Sequence, residues 1–122
     1  RKPRKVLICM IYYLDVTPGG SWADTALSLL GYNTNPGHLQ TLIRKVYEQA
    51  TRTISIPGVE VVAVPFFVAM DGTDRNDYEQ RAEPSAQGGG KLANLILDAV
   101  IGGNDAMSTA IDDWKRIRTM ER

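Results

Sequence analysis

Lys5-Val6-Leu7-Ile8-Cys9-Met10-Ile11-Tyr12-Tyr13 and Val59-Glu60-Val61-Val62-Ala63-Val64 are the stretches whose reading decides the fold. Neither alternates polar with apolar residues, so each is expected to be a strand buried on both faces, as in a parallel α/β sheet. Two such strands cannot bury both faces and protect both edges of a sheet. The sequence therefore reads as half of a domain, completed by further sequence or by a partner chain. Cys9, placed mid-strand, is expected to be a small buried hydrophobe rather than a nucleophile.

Between the two runs lie a Gly-Pro-rich loop, residues 15–20, and two helical patterns. Ser21-Trp22-Ala23-Asp24 has capping-box spacing, with Asp in place of Glu or Gln. The helix after it should bury Ala23, Ala26, Leu27 and Leu30 and stop at Gly31. Asn35-Pro36 opens a longer helix with an apolar stripe of Leu39, Leu42, Ile43, Val46, Tyr47 and Ala50. Strand, helix, strand makes a βαβ unit with an expected right-handed crossover. A third helix should begin after Glu83-Pro84-Ser85 and present Leu92, Leu95, Ile96, Ala99 and Val100. Gly102-Gly103 breaks it, and a last helix capped by Asn104 or Asp105 should bury Met107, Ala110, Ile111, Trp114 and Ile117. The expected architecture is a partial three-layer αβα unit with two parallel strands and about four helices.

At 122 residues the chain fits one domain at most, and its 43% hydrophobic content excludes a disordered polymer. Fourteen basic and fourteen acidic residues cancel, so no global field selects nucleic acid or an acidic membrane. The single cysteine excludes an internal disulfide and a multi-Cys zinc site. No apolar run is long enough to span a bilayer and no signal-peptide pattern is visible, so a soluble protein is expected. The first residue is Arg rather than Met, which leads to the expectation of a preceding segment.

Ligands of open α/β sheets bind beyond the carboxyl ends of the strands. The loops there, residues 14–20 and 66–84, together with adjacent helix starts offer Asp15, Thr17, Ser21, Asp24, Asp71, Asp74, Asp77, Arg81 and Glu83. Asp15, Ser21, Asp71 and Arg81 are the candidate ligand-binding residues. Gly88-Gly89-Gly90-Lys91 lacks the upstream Gly of a P-loop and has Leu92 where magnesium needs Ser or Thr. Its glycines instead suit close packing of a helix start on a neighbouring backbone. Asp71, Asp74 and Asp77 recur every third residue, unlike a calcium loop. His38, the sole histidine, sits in a first helical turn with no hydroxyl nucleophile assigned to it and reads as a surface or packing residue. No metal and no cofactor are expected.

The segment Asp77-Tyr78-Glu79-Gln80-Arg81-Ala82-Glu83-Pro84-Ser85-Ala86-Gln87-Gly88-Gly89, followed by an apolar helix, resembles the last block of the SGNH (GDSL-type) hydrolases. There an Asp-x-x-His-Pro-type loop precedes a small-residue helix start and a C-terminal helix. Thr17-Pro18-Gly19-Gly20-Ser21-Trp22-Ala23-Asp24 after the first strand resembles SGNH-like proteins of microbial eukaryotes in particular. The resemblance implies that residues 1–101 are the C-terminal half of such a domain, with 102–122 a C-terminal helical extension. It implies an ester or acetylated glycan as substrate class and places Glu83 and Asp77 on the catalytic loop. Yet Glu83 stands where the family has its general-base His, and Gln80 where it has the orienting Asp. The family's serine and oxyanion Gly and Asn belong to its first half and have no counterpart here. A serine needs a positioned base to attack an ester. Two function classes follow: a non-catalytic, pseudoenzyme-like subunit of a larger assembly, or an ester hydrolase whose nucleophile lies in the missing half. A third class, a small-ligand binder using the same loops, predicts affinity without turnover.

Overall fold

In the computed structural model, β1 (Lys5–Met10) and β2 (Glu60–Pro65) pair in parallel, from Lys5 opposite Glu60 to Met10 opposite Pro65. The structure describes residues 1–120, so the last two residues of the expected 102–122 extension lie outside the described residues. The α-helices among the described residues are α1 (Asp24–Leu29), α2 (Pro36–Gln49) and α3 (Ala86–Met120). The result is a mixed α/β fold with a two-stranded parallel sheet.

The expected break at Gly102-Gly103 appears as a kink within α3, where Gly103 has φ 63° and ψ −151°. α3 thus consists of two helical arms separated at the glycine pair, where the sequence places the break between its last two helices. Successive side chains of a strand point to opposite faces, and each face of β2 has its own cover. Val62 and Val64 pack with Leu95 and Ala99 of the first arm and Met107 of the second. Ala63 packs with Ile43 and Tyr47 of α2 and with Tyr13, Phe67, Ile111 and Trp114. The second arm of α3 therefore contributes to both clusters and passes around the outer edge of β2.

The backbone of that edge is closed by side chains. Asn104 Nδ2 donates to Val61 O at 2.9 Å, and Asn104 Oδ1 accepts from Ala63 N at 3.3 Å. The Tyr47 hydroxyl donates to Ala63 O at 3.1 Å, and burial pushes its pKa up to about 12. Asn104 does not act as the expected helix cap. It acts as a substitute for a neighbouring strand.

β1 differs from expectation. Its residues are only half-buried, and Cys9 is exposed rather than buried. Nothing pairs with its outer edge, because β1 has β2 as its only strand neighbour among the described residues. Glu60 N donates to Arg4 O, so the even-numbered residues of both strands face each other across the ladder. The backbone groups of Lys5, Leu7 and Cys9 then face outward, and none has a hydrogen-bond partner among the described residues.

The helical stripes are also narrower than the sequence suggests. In α2, Ile43, Tyr47 and Gln40 are buried, while Leu42 and Val46 stay exposed. In α1, Ala23 and Leu27 are buried but Ala26 and Leu30 are not. Ile96, Val100 and Ile117 remain exposed on α3. A sheet two strands wide covers only the centre of each stripe. No described helix is long and apolar enough to cross a membrane.

Candidate functional site

The two loops at the carboxyl ends of the strands are joined by backbone hydrogen bonds. Tyr13 N donates to Met70 O, Asp15 N to Arg81 O and Val16 N to Gly72 O, all at 3.0–3.1 Å. Tyrosine hydroxyls extend the seam: Tyr78 donates to Tyr13 O and Tyr12 to Ala82 O. Burial raises the pKa of both phenols, so they remain neutral donors.

Arg81 is the centre of this seam. It is 2% exposed and has φ 69°, the left-handed region that side-chain-bearing residues seldom occupy. Its Nε and Nη2 donate to Asp15 O at 3.2 and 3.0 Å. Its Nη1 donates to Asp24 Oδ1 at 3.0 Å and Asn33 Oδ1 at 2.8 Å. A guanidinium has five N–H donors, and this set engages four of them. Arg81 therefore clasps the chain to itself and has little capacity left for a ligand.

α1 supplies the other half of the clasp. Asp24 accepts from Ser21 N at 3.1 Å, the back-bond of a capping box, and from Gly19 N at 3.3 Å, but the N-cap of α1 is Ala23, which makes no side-chain cap bond. The bond from Ser21 N, helped by those from Gly19 and Arg81, holds the Asp24 carboxyl below the usual carboxylate range. The helix ends in a Schellman motif: Gly31 N donates to Ser28 O and Tyr32 N to Leu27 O. Gly31, at φ 74°, takes the left-handed position that motif requires. Tyr32 is thereby packed on Ala23 and Leu27, donates to Leu14 O, and accepts from the buried Gln40 at 3.0 Å. Asn33, Gln40 and the tyrosines were absent from the sequence-based candidate set, because only the closed loops bring them to Arg81.

The remaining candidates fall into two groups. Asp15, Ser21 and Glu83 lie with Arg81 in the clasp. Asp15 is buried and accepts from Thr17 N at 2.9 Å in an Asx turn. The Ser21 hydroxyl donates to Gln80 O and accepts from Ala23 N. Glu83 is exposed and accepts from the indole of exposed Trp22 at 3.1 Å.

Asp71 and Asp77 line a separate groove of about 560 Å³ between the loop after β2 and the two arms of α3. Asp77 is buried, with Lys91 Nζ at 2.9 Å and Gln87 Nε2 at 2.8 Å. Its hydrogen bond, with the charges of Asp77 and Asp74, raises the Lys91 pKa. Asp71 accepts from Thr73 and, at 3.4 Å, from the Trp114 indole. Gly88 fits the close-packing reading: a Cβ there would lie 2.1 Å from Asp77 O.

No hydrogen bond or ion pair among the described residues joins Glu83 to Asp77, and neither carboxylate reaches a serine hydroxyl. A nucleophile–base pair needs that contact. His38 is exposed on α2, away from these groups. No three His, Cys, Asp or Glu side chains among the described residues converge as metal ligands. The chain matches no protein-family model, no curated protein and no solved structure.

Proposed function

We propose that this chain is a non-catalytic, SGNH-hydrolase-like unit that works as part of a larger assembly, with a further β-strand docked on the open edge of β1. The observation that carries this reading is the unequal treatment of the two sheet edges. Asn104, Tyr47 and the second arm of α3 close the edge of β2. The outward backbone of Lys5, Leu7 and Cys9 has no such cover. An unpaired strand edge is a template for strand addition unless it is blocked.

The surroundings of β1 support the same reading. Lys5 Nζ donates to Val100 O at 2.6 Å, which ties β1 to the first arm of α3. On that arm Ile96, Leu97, Val100 and Ile101 are exposed in an i, i+1, i+4, i+5 strip, with Ile101 at 77%. A contiguous apolar strip beside an open strand suits a covered interface better than free solvent. In this reading the partner strand extends the sheet and the strip packs over it, completing a three-layer αβα domain.

Absence of catalysis is supported by the separation of Glu83 from Asp77 and by Lys91 pairing with the latter. The test is hydrolysis of p-nitrophenyl acetate and of an acetylated oligosaccharide by the wild-type chain and Glu83→Ala. Turnover indistinguishable from buffer in both is the expected result. Turnover by the wild type that disappears in Glu83→Ala would overturn the non-catalytic reading.

A further inference from the structure

The open edge of β1 has a register in which it pairs with itself. Its outward backbone groups belong to Lys5, Leu7 and Cys9, alternate residues centred on Leu7. Laid antiparallel on a second β1 about a two-fold axis at Leu7, they set Leu7 opposite Leu7 and Lys5 opposite Cys9. Outward-facing residues set opposite one another form the hydrogen-bonded pairs of an antiparallel ladder, each pair exchanging both N–H···O bonds.

That axis runs perpendicular to the sheet, so each face keeps one kind of cover in both copies. The arms of α3 lie over Val62 and Val64 on one face, and α2 lies over Ala63 on the other. The pair is then a single sheet, in the order β2-β1-β1-β2, with helices on both faces. Lys5 ties Val100 to β1, so the exposed Ile96, Leu97, Val100 and Ile101 of each copy are brought toward those of the other. The same contact covers the half-buried strand β1, whose sequence suits burial on both faces.

Charge fits this direction of pairing. The exposed Arg1, Lys2 and Arg4 lead into β1, and the antiparallel arrangement holds the two basic segments at opposite ends. Each segment then runs past Tyr12 of the other copy, whose hydroxyl donates to Ala82 O beside exposed Glu83. Within its own chain the Glu83 carboxylate meets the Trp22 indole and, among the described residues, no cation.

Given strand docking at β1, we propose that the docked strand is β1 of a second copy of this chain, in a two-fold symmetric dimer. Such an isologous contact is closed: Asn104 and the second arm of α3 already cover the edge of β2, so no further edge is left to extend the sheet.

Sedimentation equilibrium under reducing conditions tests this on the wild-type chain, Cys9→Glu and Cys9→Lys. Position 9 is exposed, so neither substitution disturbs the core of the monomer. In the dimer it lies beside Lys5 of the other copy, twice by symmetry. A reversible monomer–dimer equilibrium is expected, tightened about tenfold by Cys9→Glu and weakened about tenfold by Cys9→Lys. Dilution returns the isolated chain, whose Leu7 and Cys9 amides are free to exchange, and association protects them. A chain that stays monomeric to millimolar concentration with those amides free overturns the second copy as the occupant and leaves docking to another chain. Protection of those amides in the monomer would overturn docking itself. A dimer that responds alike to Cys9→Glu and Cys9→Lys pairs through another surface, and also overturns the proposal.

Discussion

Replacing Arg81 by alanine should loosen both loops at the carboxyl ends of the strands. The side chain makes two hydrogen bonds to the carbonyl of buried Asp15 and one to Asn33, besides its contact with Asp24. Removing it orphans the Asp15 carbonyl, at about 1–3 kcal/mol. Asn33 is only half-buried and regains water, so its share is smaller. The expected loss is about 3 kcal/mol, or about 10 °C in melting temperature for a domain of this size. The backbone gives a second, independent reading. At φ 69° alanine keeps the left-handed strain that glycine escapes, so Arg81→Gly should be about 1 kcal/mol less destabilised than Arg81→Ala. Urea unfolding followed by circular dichroism and tryptophan fluorescence measures both. A loss below about 1 kcal/mol in Arg81→Ala, or glycine proving worse than alanine, would refute the clasp.

Gly88→Ala should cost about 1–3 kcal/mol in the same unfolding assay, because its Cβ meets the Asp77 carbonyl at 2.1 Å. Gly89→Ala, with nothing within 4 Å, should be neutral or stabilising by up to about 1 kcal/mol through helix propensity. Asn104→Asp should destabilise more than Asn104→Ala, since a carboxylate would face the Val61 carbonyl in place of a donor; equal melting temperatures would contradict the edge-closing role. The lowered pKa of Asp24 makes its contribution complete above its ordinary value of 3.8 and lost as pH falls through the folded-state value. The raised pKa of Lys91 makes its contribution complete below 10.5 and lost as pH rises beyond it. Asp24→Asn should therefore flatten the acid limb of a stability–pH curve, and Lys91→Met the alkaline limb.

The strands, the long helices and the break near Gly103 were legible because each is written in a local pattern: apolar runs, a repeat of three and four, paired glycines. The exposure of Cys9, Leu42 and Val46 was not, because it depends on how wide a sheet lies beneath them. Asn104 reads as a helix cap from its neighbours, and only the kink carries it to the backbone of β2. The candidate residues of the two loops divide between a clasp around Arg81 and a groove around Asp77. That division follows from which backbone carbonyls the closed loops leave for the guanidinium, a long-range property with no local signature.

The bare edge of β1 is tested most directly by residue-resolved amide hydrogen exchange on the isolated chain. The Val6 and Ile8 amides, turned toward β2, should be protected, as should Ala63, held by Asn104. The Leu7 and Cys9 amides, turned away from β2, should exchange as freely as those of an exposed loop. Protection of Leu7 and Cys9 equal to that of Val6 and Ile8 would mean that the edge is already closed, and would contradict strand docking on β1.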